Sequence, residues 1–245
     1  MLNSKAPHLL DQKNKLKPWQ KEQYCIPPEA SAEFVCSMED ILDVYKRPYD
    51  PKYPVVCMDE KPKQLISEKR TPIPARPGRV ERFDYEYTRS GVANIFIAFE
   101  PLANVRDIKV TKRRTKKDWA KYMQELSDVN YPEAEKIILV MDNLNTHKPA
   151  SFYETFEPVE AKRLIDRFEF HYTPKHGSWL NMAEIELSVL SRHCLDQRFG
   201  DIDILKFQTS AWVSERNIIS ASVNWQFTTD DARIKLRRLY PSIDE

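Results

Sequence analysis

Two aspartates stand at the ends of two short apolar runs, a position from which carboxylates can hold a metal ion. Asp142 directly follows the five apolar residues Ile137–Met141, and Asp59 directly follows the run 54–58. Runs this short and this rich in β-branched residues predict strands that are buried on both faces. Because open α/β sheets keep their sites at the carboxyl edge, we expect Asp59 and Asp142 to lie at that edge.

A third carboxylate is expected from a helix predicted over residues 181–195, which has two glutamates near its start. Glu184 and Glu186 differ by about 200° around a helix, so only one can face the sheet, and periodicity leaves the choice open. Three carboxylates in close contact repel one another and would hold protons without a cation. Their hard oxygens suit Mg²⁺ or Mn²⁺. The alternative is that each carboxylate merely caps a strand or a helix end.

Other catalytic chemistries find little support in the sequence. Four glycines are too few for a Gly-rich phosphate loop, and no serine lies in a Gly-x-Ser-x-Gly turn. The four cysteines lack the spacing of a zinc site. His147 could hydrogen-bond a metal ligand or a phosphate, and a plain packing role is the alternative. For His171 and His176 we favour structural roles.

The order of predicted elements places the two aspartates on neighbouring strands. Three strands, a helix, a strand, a helix, a strand and further helices are the order of a ribonuclease-H-like sheet, whose first and fourth strands are adjacent. We therefore predict an α/β fold with a five-stranded mixed sheet flanked by helices, preceded by an N-terminal arm and helix. The first predicted strand ends at Asp59. The other four predicted strands cover 90–100, 104–111, 137–141 and 167–173. One predicted helix begins at Pro28 and another begins at a capping box at Thr115. Three more are predicted over 151–168, with a break near Pro158, over 181–195 and over 202–219.

Basic residues cluster in a long connection predicted over 61–89 and in the run 109–117. A connection of that length inside a compact domain is usually functional or disordered, and a solvated charged loop is the alternative. The eight basic residues of the connection are Lys61, Lys63, Lys69, Arg70, Arg76, Arg79, Arg82 and Arg89. Lys+Arg at 38 against Asp+Glu at 37 does not exclude a nucleic-acid partner, because clustering of charge is what matters.

Length and composition favour one large domain with an appendage. We expect a basic arm over residues 1–27 and the catalytic domain over 28–245. Apolar residues make up 41% of the 245 residues, yet no run approaches the 18 consecutive apolar residues of a membrane span. The start of the chain also lacks the apolar stretch of a secretory signal. We expect a cytoplasmic protein that has no membrane partner.

Four motifs together resemble the DDE transposases of mariner-like bacterial insertion sequences, most closely the insertion-sequence family 630 type. The resemblance extends from about Leu16 to the C-terminus. The motifs are Pro-Val-Val-Cys-Met-Asp-Glu-Lys at 54–61, a Tyr-x-Arg-x-Gly turn at 87–91, Met-Asp-Asn-Leu-Asn-Thr-His at 141–147 and Trp-Leu-Asn-Met-Ala-Glu at 179–184.

This resemblance implies a specific set of site residues. It selects Asp59, Asp142 and Glu184 as the catalytic and metal-binding carboxylates. Two Mg²⁺ ions are implied, with Mn²⁺ able to substitute: one held by Asp59 and Asp142, the other by Asp59 and Glu184. Around them we expect Asn143, His147 and Asn181 to support the ligands. We expect contacts with DNA phosphates from Lys61, Arg89, Lys112, Arg113 and Arg114.

The resemblance also implies an activity and partners. Such proteins cut and join double-stranded DNA at transposon ends and at a target, commonly as homodimers. Relatives carry N-terminal helix-turn-helix units, whereas this chain reaches the corresponding Leu16-Lys17-Pro18 segment within its first twenty residues. A truncated, non-catalytic DNA-binding remnant is therefore one alternative. A ribonuclease-H-like nuclease that acts on RNA–DNA hybrids is another.

Overall fold

The computed structural model describes residues 26–27 and 29–242, so nearly all of the arm expected over 1–27 lies outside the described residues. The strands are β1 (Val55–Glu68), β2 (Tyr87–Glu100), β3 (Val105–Thr111), β4 (Ile137–Met141) and β5 (Phe168–Tyr172). The α-helices are α1 (Ala32–Tyr45), α2 (Lys116–Glu125), α3 (Ala150–Tyr153), α4 (Pro158–Asp166), α5 (Met182–His193), α6 (Ile202–Ile218) and α7 (Thr229–Lys235). No helix among these residues is long and apolar enough to cross a membrane.

All five strands form one mixed sheet in the order β3-β2-β1-β4-β5. The β1–β2 and β2–β3 pairs are antiparallel, whereas β1–β4 and β4–β5 are parallel. The predicted five-stranded mixed sheet is therefore confirmed, and so is the predicted adjacency of the first and fourth strands. Parallel pairing aligns the ends of β1 and β4 at one edge of the sheet.

Helices cover both faces of the sheet and make two hydrophobic cores. On one face, Cys57 and Val140 belong to a core shared with α1, α5, α6 and α7. On the other face, Met58 and Leu139 belong to a core shared with α2, α3 and α4. Every residue of β4 is buried, as expected for a central strand covered on both sides. Side chains alternate between the two faces, and this alternation sets which face each strand-end residue joins.

The strand predicted to end at Asp59 continues to Glu68, and β2 already begins at Tyr87. The predicted connection 61–89 is therefore wrong in extent: its outer parts are paired strands, and only residues 69–86 connect them. β4 pairs with β1 at residues 55–57 alone, which leaves one edge of β1 free beyond that point. A proline is tolerated on such an edge, so Pro62 does not end the strand.

The turn predicted at 87–91 is also wrong, because these residues belong to β2. Leu65 lies opposite Gly91 and Ile66 lies opposite Arg89, so Ser90 is the extra residue of a β-bulge. Gly91 has φ 110°, a conformation that side chains with a Cβ rarely adopt. The glycine of this motif therefore allows the backbone conformation of a β-bulge within β2, and it does not form a turn.

The helix predicted from Thr115 is confirmed, including reciprocal hydrogen bonds between Thr115 and Asp118. Its apolar residues are buried up to Leu126, whereas Val129 is 71% exposed. After Glu125 the helix widens into a π-helical turn, Leu126–Asn130, which rotates later side chains away from the face predicted at 3.6 residues per turn. The predicted break near Pro158 and the predicted helix over 202–219 are confirmed within about one residue.

Candidate active site at the carboxyl edge of the sheet

Asp59 and Asp142 lie at the same edge of the sheet, on adjacent strands. The parallel register ends with Cys57 opposite Val140, and each aspartate comes two residues later. By strand alternation both carboxylates belong to the face of Cys57 and Val140, which is the face covered by α5. Both side chains are partly exposed, as a site that meets a substrate requires.

Asn181 fixes the start of α5 against the end of β1. Its side-chain oxygen accepts a hydrogen bond from the Ala183 N–H at 3.1 Å and caps the helix. Its side-chain nitrogen donates to the Met58 carbonyl at 2.9 Å, and the whole residue is buried. The first turn of α5, which carries Glu184, is therefore held beside the residue that precedes Asp59.

The two glutamates of α5 have different surroundings. Glu186 is fully buried and accepts hydrogen bonds from Arg106 at 2.8 and 3.0 Å and from Arg216 at 3.0 and 3.1 Å. Glu184 is partly exposed and lines a depression of ≈ 400 Å³ together with Asp59. The structure thus brings Glu184, and not Glu186, to the aspartates.

Asp59 is affected by the other two carboxylates. Burial raises the pKa of Asp59 to about 7, and the negative charges of Asp142 and Glu184 add to this effect. The Glu60 N–H donates to Asp59 at 2.7 Å and opposes the rise in pKa. A half-buried carboxylate beside two others is poorly stabilised as an anion, and a hard divalent cation would correct this.

His147, expected beside the metal ligands, contacts one of them directly. Its Nδ1 lies 2.5 Å from an Asp142 oxygen, and its ring is buried against Trp119 at 5.8 Å between centroids. Its Nε2 lies 3.8 Å from a Glu60 oxygen, which is an ion-pair distance and too long for a hydrogen bond. Burial alone would lower the pKa of His147, but Asp142 and Glu60 outweigh it and raise the pKa to about 9.

Glu60 is a member of the site that the sequence interpretation missed. Its side chain is 4% exposed and lies between His147 and Arg114, whose Nη1 is 3.2 Å away. Strand alternation directs Glu60 to the face opposite Asp59, which is the face where His147 packs on Trp119. The signal in the sequence was an acidic residue directly after Asp59 in a strand.

The remaining predicted residues lie around the three carboxylates, in the surface recesses beside them or on exposed parts of the chain. Lys61 lines the depression that contains Asp59 and Glu184, and Asn143 lines a groove with Asp142. Lys112, Arg113 and Arg89 are exposed, and Arg89 lies in the exposed first half of β2. As the side chains stand, no three His, Cys, Asp or Glu residues within the described ranges are arranged around one metal position.

Comparison with known protein families gives one clear match. A sequence profile described as DDE superfamily endonuclease matches residues 54–206, which is more than half of the chain. This span includes all three predicted carboxylates. No protein of curated function is detectably similar to the chain in sequence.

Solved structures with a similar fold are transposase complexes. The Mos1 mariner paired end complex with Mn has 17% sequence identity and a TM-score of 0.51 over 87% of this chain and 65% of that chain. The Mos1 strand transfer complex has 16% identity and a TM-score of 0.53 over the same shares, 87% and 65%. The mariner Mos1 paired end complex with Mg has 17% identity and a TM-score of 0.50 over 96% and 71%. The similarity confirms the predicted ribonuclease-H-like fold. This chain spans less than two thirds of the length of the Mos1 chain in the first two of these structures.

Proposed function

Because this chain belongs to the DDE superfamily endonucleases, we propose that it is the catalytic domain of a transposase, which cleaves DNA strands and joins them to a new site. The observation that carries the proposal is the position of the half-buried Asp59, beside Asp142 at the strand ends and with Glu184 in one depression. Each strand end and the first turn of α5 deliver one carboxylate to the same edge of the sheet. We assign this domain to residues 28–245.

Asp59, Asp142 and Glu184 would hold the metal, Mg²⁺ by preference with Mn²⁺ able to replace it, and two ions in the active complex. The donor set fits, because three carboxylates supply only hard oxygen ligands and Asp59 is poorly stabilised as an anion where it lies. When bound, such cations stabilise charge on the attacking and leaving oxygens of a phosphoryl transfer. Structures of Mos1 complexes with Mn and with Mg support this assignment.

The chain's own residues prepare the site before DNA arrives. His147 holds Asp142 by a hydrogen bond at 2.5 Å, and Glu60 stands behind the imidazole. Asn181 keeps the first turn of α5 at the end of β1 and so fixes where Glu184 stands. Positioning groups of this kind typically change metal affinity or activity by about 10- to 100-fold.

DNA is the proposed partner, both as transposon ends and as target. The paired end and strand transfer complexes of Mos1 support this choice and also support a homodimer. Lys61, Arg89, Lys112, Arg113 and Arg114 are the proposed phosphate contacts, and all five side chains are at least partly exposed. The resemblance to insertion-sequence family 630 makes a bacterial element the proposed source.

The first test is calorimetric titration of the chain with Mn²⁺ and Mg²⁺. We expect Asp59→Asn, Asp142→Asn and Glu184→Gln each to weaken binding by at least about tenfold, because each removes a ligand of the same site. Glu133→Gln, which changes an exposed glutamate elsewhere, is the matched control. Unchanged affinity in all three variants would contradict the catalytic assignment.

A cleavage assay then completes the test, with Asp142→Asn expected to abolish nicking while the circular dichroism spectrum stays unchanged. Undiminished nicking by a folded Asp142→Asn variant would contradict the proposal. Cleavage of an RNA–DNA hybrid and not of duplex DNA would indicate a ribonuclease-H-like nuclease. Binding of pre-nicked DNA ends without turnover would indicate a non-catalytic DNA-binding protein.

A further inference from the structure

A second recess adjoins the carboxylates on the side of Asp142. It is a groove of ≈ 640 Å³ between α1, the loop after β4 and the turn that follows β5. Asp142 and Asn143 line one wall, and Lys175 and His176 line another. The depression that contains Asp59 and Glu184 is separate. The carboxylate edge therefore has a recess on either side.

The turn that carries Lys175 and His176 is rigidly built. The Gly177 N–H donates to the Pro174 carbonyl at 2.8 Å, and the Thr173 N–H donates to the Met141 carbonyl at 2.9 Å. A Cβ at position 177 would lie 2.5 Å from Cγ of Pro174, so this close approach requires glycine. The turn is thus attached to the residue that precedes Asp142.

His176 shows that this turn holds an unfavourable backbone conformation. Its φ of 65° lies in the left-handed region, where a non-glycine residue costs free energy. Lys175 and His176 are nevertheless both exposed and contribute nothing to either hydrophobic core. Strain combined with exposed polar side chains beside a catalytic residue indicates a binding role.

The groove offers one cation and several hydrogen-bonding groups to a phosphodiester backbone, and it also holds the carboxylates of Glu33 and Asp142. Lys175 supplies a cation, while His176, Asn143 and Ser178 supply hydrogen-bonding groups. Glu33, at the start of α1, is an acidic side chain that also lines the groove. A recess of this volume accommodates a ligand of a few hundred daltons, which is the size of one or two nucleotides of a single strand.

We propose that this groove binds the sugar–phosphate backbone of the cleaved DNA strand next to the scissile phosphodiester, with Lys175 and His176 contacting the phosphates. The inference rests on the proposed function, since it takes the DNA cut at the carboxylates as the ligand. Lys175 and His176 are binding and positioning residues that set how the strand lies across Asp142.

The test is fluorescence anisotropy of a labelled duplex of arbitrary sequence, titrated at several salt concentrations without divalent metal. Lys175→Ala is expected to raise Kd about tenfold, because it removes a charge-assisted phosphate contact. It should also reduce the slope of log Kd against log salt by about 1. His176→Gly, which removes the imidazole while accommodating the positive φ, should raise Kd severalfold.

A substitution of opposite sign separates the groove from general surface charge. Glu33→Gln removes a negative charge from the groove and should lower Kd severalfold. Lys121→Ala and Glu133→Gln, which change exposed residues outside the groove, should leave Kd within about twofold. Equal effects of Lys175→Ala and Lys121→Ala, no effect of Lys175→Ala, or no binding by the wild-type chain at low salt would each overturn the proposal.

The outcome is distinguishable from failure of the proposed function, because no metal and no cleavage enter the measurement. Metal binding unaffected by the Asp59, Asp142 and Glu184 substitutions would remove the catalytic assignment and, with it, the cleaved strand as the ligand of the groove, even if Lys175→Ala weakened DNA binding. Intact metal binding with an unchanged Kd for Lys175→Ala would remove the groove alone.

Discussion

Glu184 and Glu186 are two residues apart on α5, yet one is available to a ligand and the other is not. Glu186 is enclosed by Arg106 and Arg216, and Arg106 also lies 4.6 Å from the ring centroid of Phe99. Burial alone would raise the pKa of Glu186, but the two guanidinium groups outweigh it and lower the pKa below its ordinary value of 4.5. Glu186 therefore contributes to stability as an ionised, paired carboxylate.

Glu186→Gln is expected to lower the free energy of unfolding at pH 7 by about 3–5 kcal/mol, because it leaves the buried Arg106 and the partly exposed Arg216 without their counter-charge. The folded-state pKa is depressed, so the contribution of Glu186 is fully present above pH 4.5 and is lost as the pH falls below that value. The measurement is urea unfolding of wild type and variant at pH 7 and at pH 4.

The difference between wild type and Glu186→Gln should therefore shrink on acidification. Glu133→Gln, an exposed control, should change the free energy of unfolding by less than about 0.5 kcal/mol at either pH. A loss that is small at pH 7, or that grows as the pH falls, would contradict the assigned role of Glu186.

For individual residues, the sequence predicts the positions of the carboxylates better than it predicts the side chains that contact them. Asp59 and Asp142 could be found because each directly follows a short buried run. The role of Glu186 could not be found, because Arg106 lies 80 residues away in sequence and only the fold brings it close. Glu60 was missed for a related reason, since its contact with Arg114 depends on how the connection between β3 and α2 lies against β1.

Among the elements, the joint between β1 and α5 has the most direct bearing on the site. Asn181 uses both ends of its amide there, one to cap α5 and one to bind the Met58 carbonyl. Ser31 caps α1 in the same way, accepting from the Phe34 N–H at 3.2 Å. The two caps differ in that only the Asn181 side chain also links two elements, whereas the Ser31 side chain only caps its helix.

Asn181→Ala is expected to lower the free energy of unfolding by about 2–4 kcal/mol. About 1 kcal/mol is the lost cap, and the remainder comes from the buried Met58 carbonyl left without its donor. Ser31→Ala is the matched control and should cost about 1 kcal/mol, since it loses a cap alone. Urea unfolding of both variants makes the comparison, and equal losses would contradict the linking role.

Element prediction succeeds where burial leaves a pattern and fails where it does not. β4 is apolar throughout because both of its faces are covered, so its sequence identifies it. The outer half of β1 is partly exposed, carries Lys61, Pro62 and Lys63, and therefore reads as a loop. Its pairing with β2 is a long-range property that no local pattern in the sequence reveals.

Across the whole molecule, one sheet is shared by two cores. Leu139 and Val140 are neighbours in β4, but one packs toward α2 and the other toward α5. If β4 left the sheet, the apolar side chains of both cores would be exposed to solvent. The order of elements along the chain was enough to predict this layered arrangement, whereas the packing of individual helices was not.

We expect the chain to unfold in one transition that reports both cores together. Leu139→Ala and Val140→Ala should each shift this transition, with Leu139→Ala costing about 2–5 kcal/mol because it leaves a cavity. Val159→Ala, at a position 86% exposed, should cost less than about 0.5 kcal/mol.

Tryptophan fluorescence and circular dichroism in urea provide the measurement. Trp119 reports on the α2 face and Trp212 on the α5 face. Coincident curves from the two methods are the expected result. Separate transitions, with each substitution shifting only one of them, would show that the cores unfold independently.

The hydrogen bond between Asn181 and Met58 joins residues 123 positions apart. A ribosome must therefore release most of the chain before α5 can dock on β1. Until α5 docks, Glu184 is not held beside Asp59 and Asp142, so the growing polypeptide lacks one of the three carboxylates of the candidate site. Under the proposed function, a chain that ends before α5 lacks Glu184, and we expect it to be unable to cut DNA.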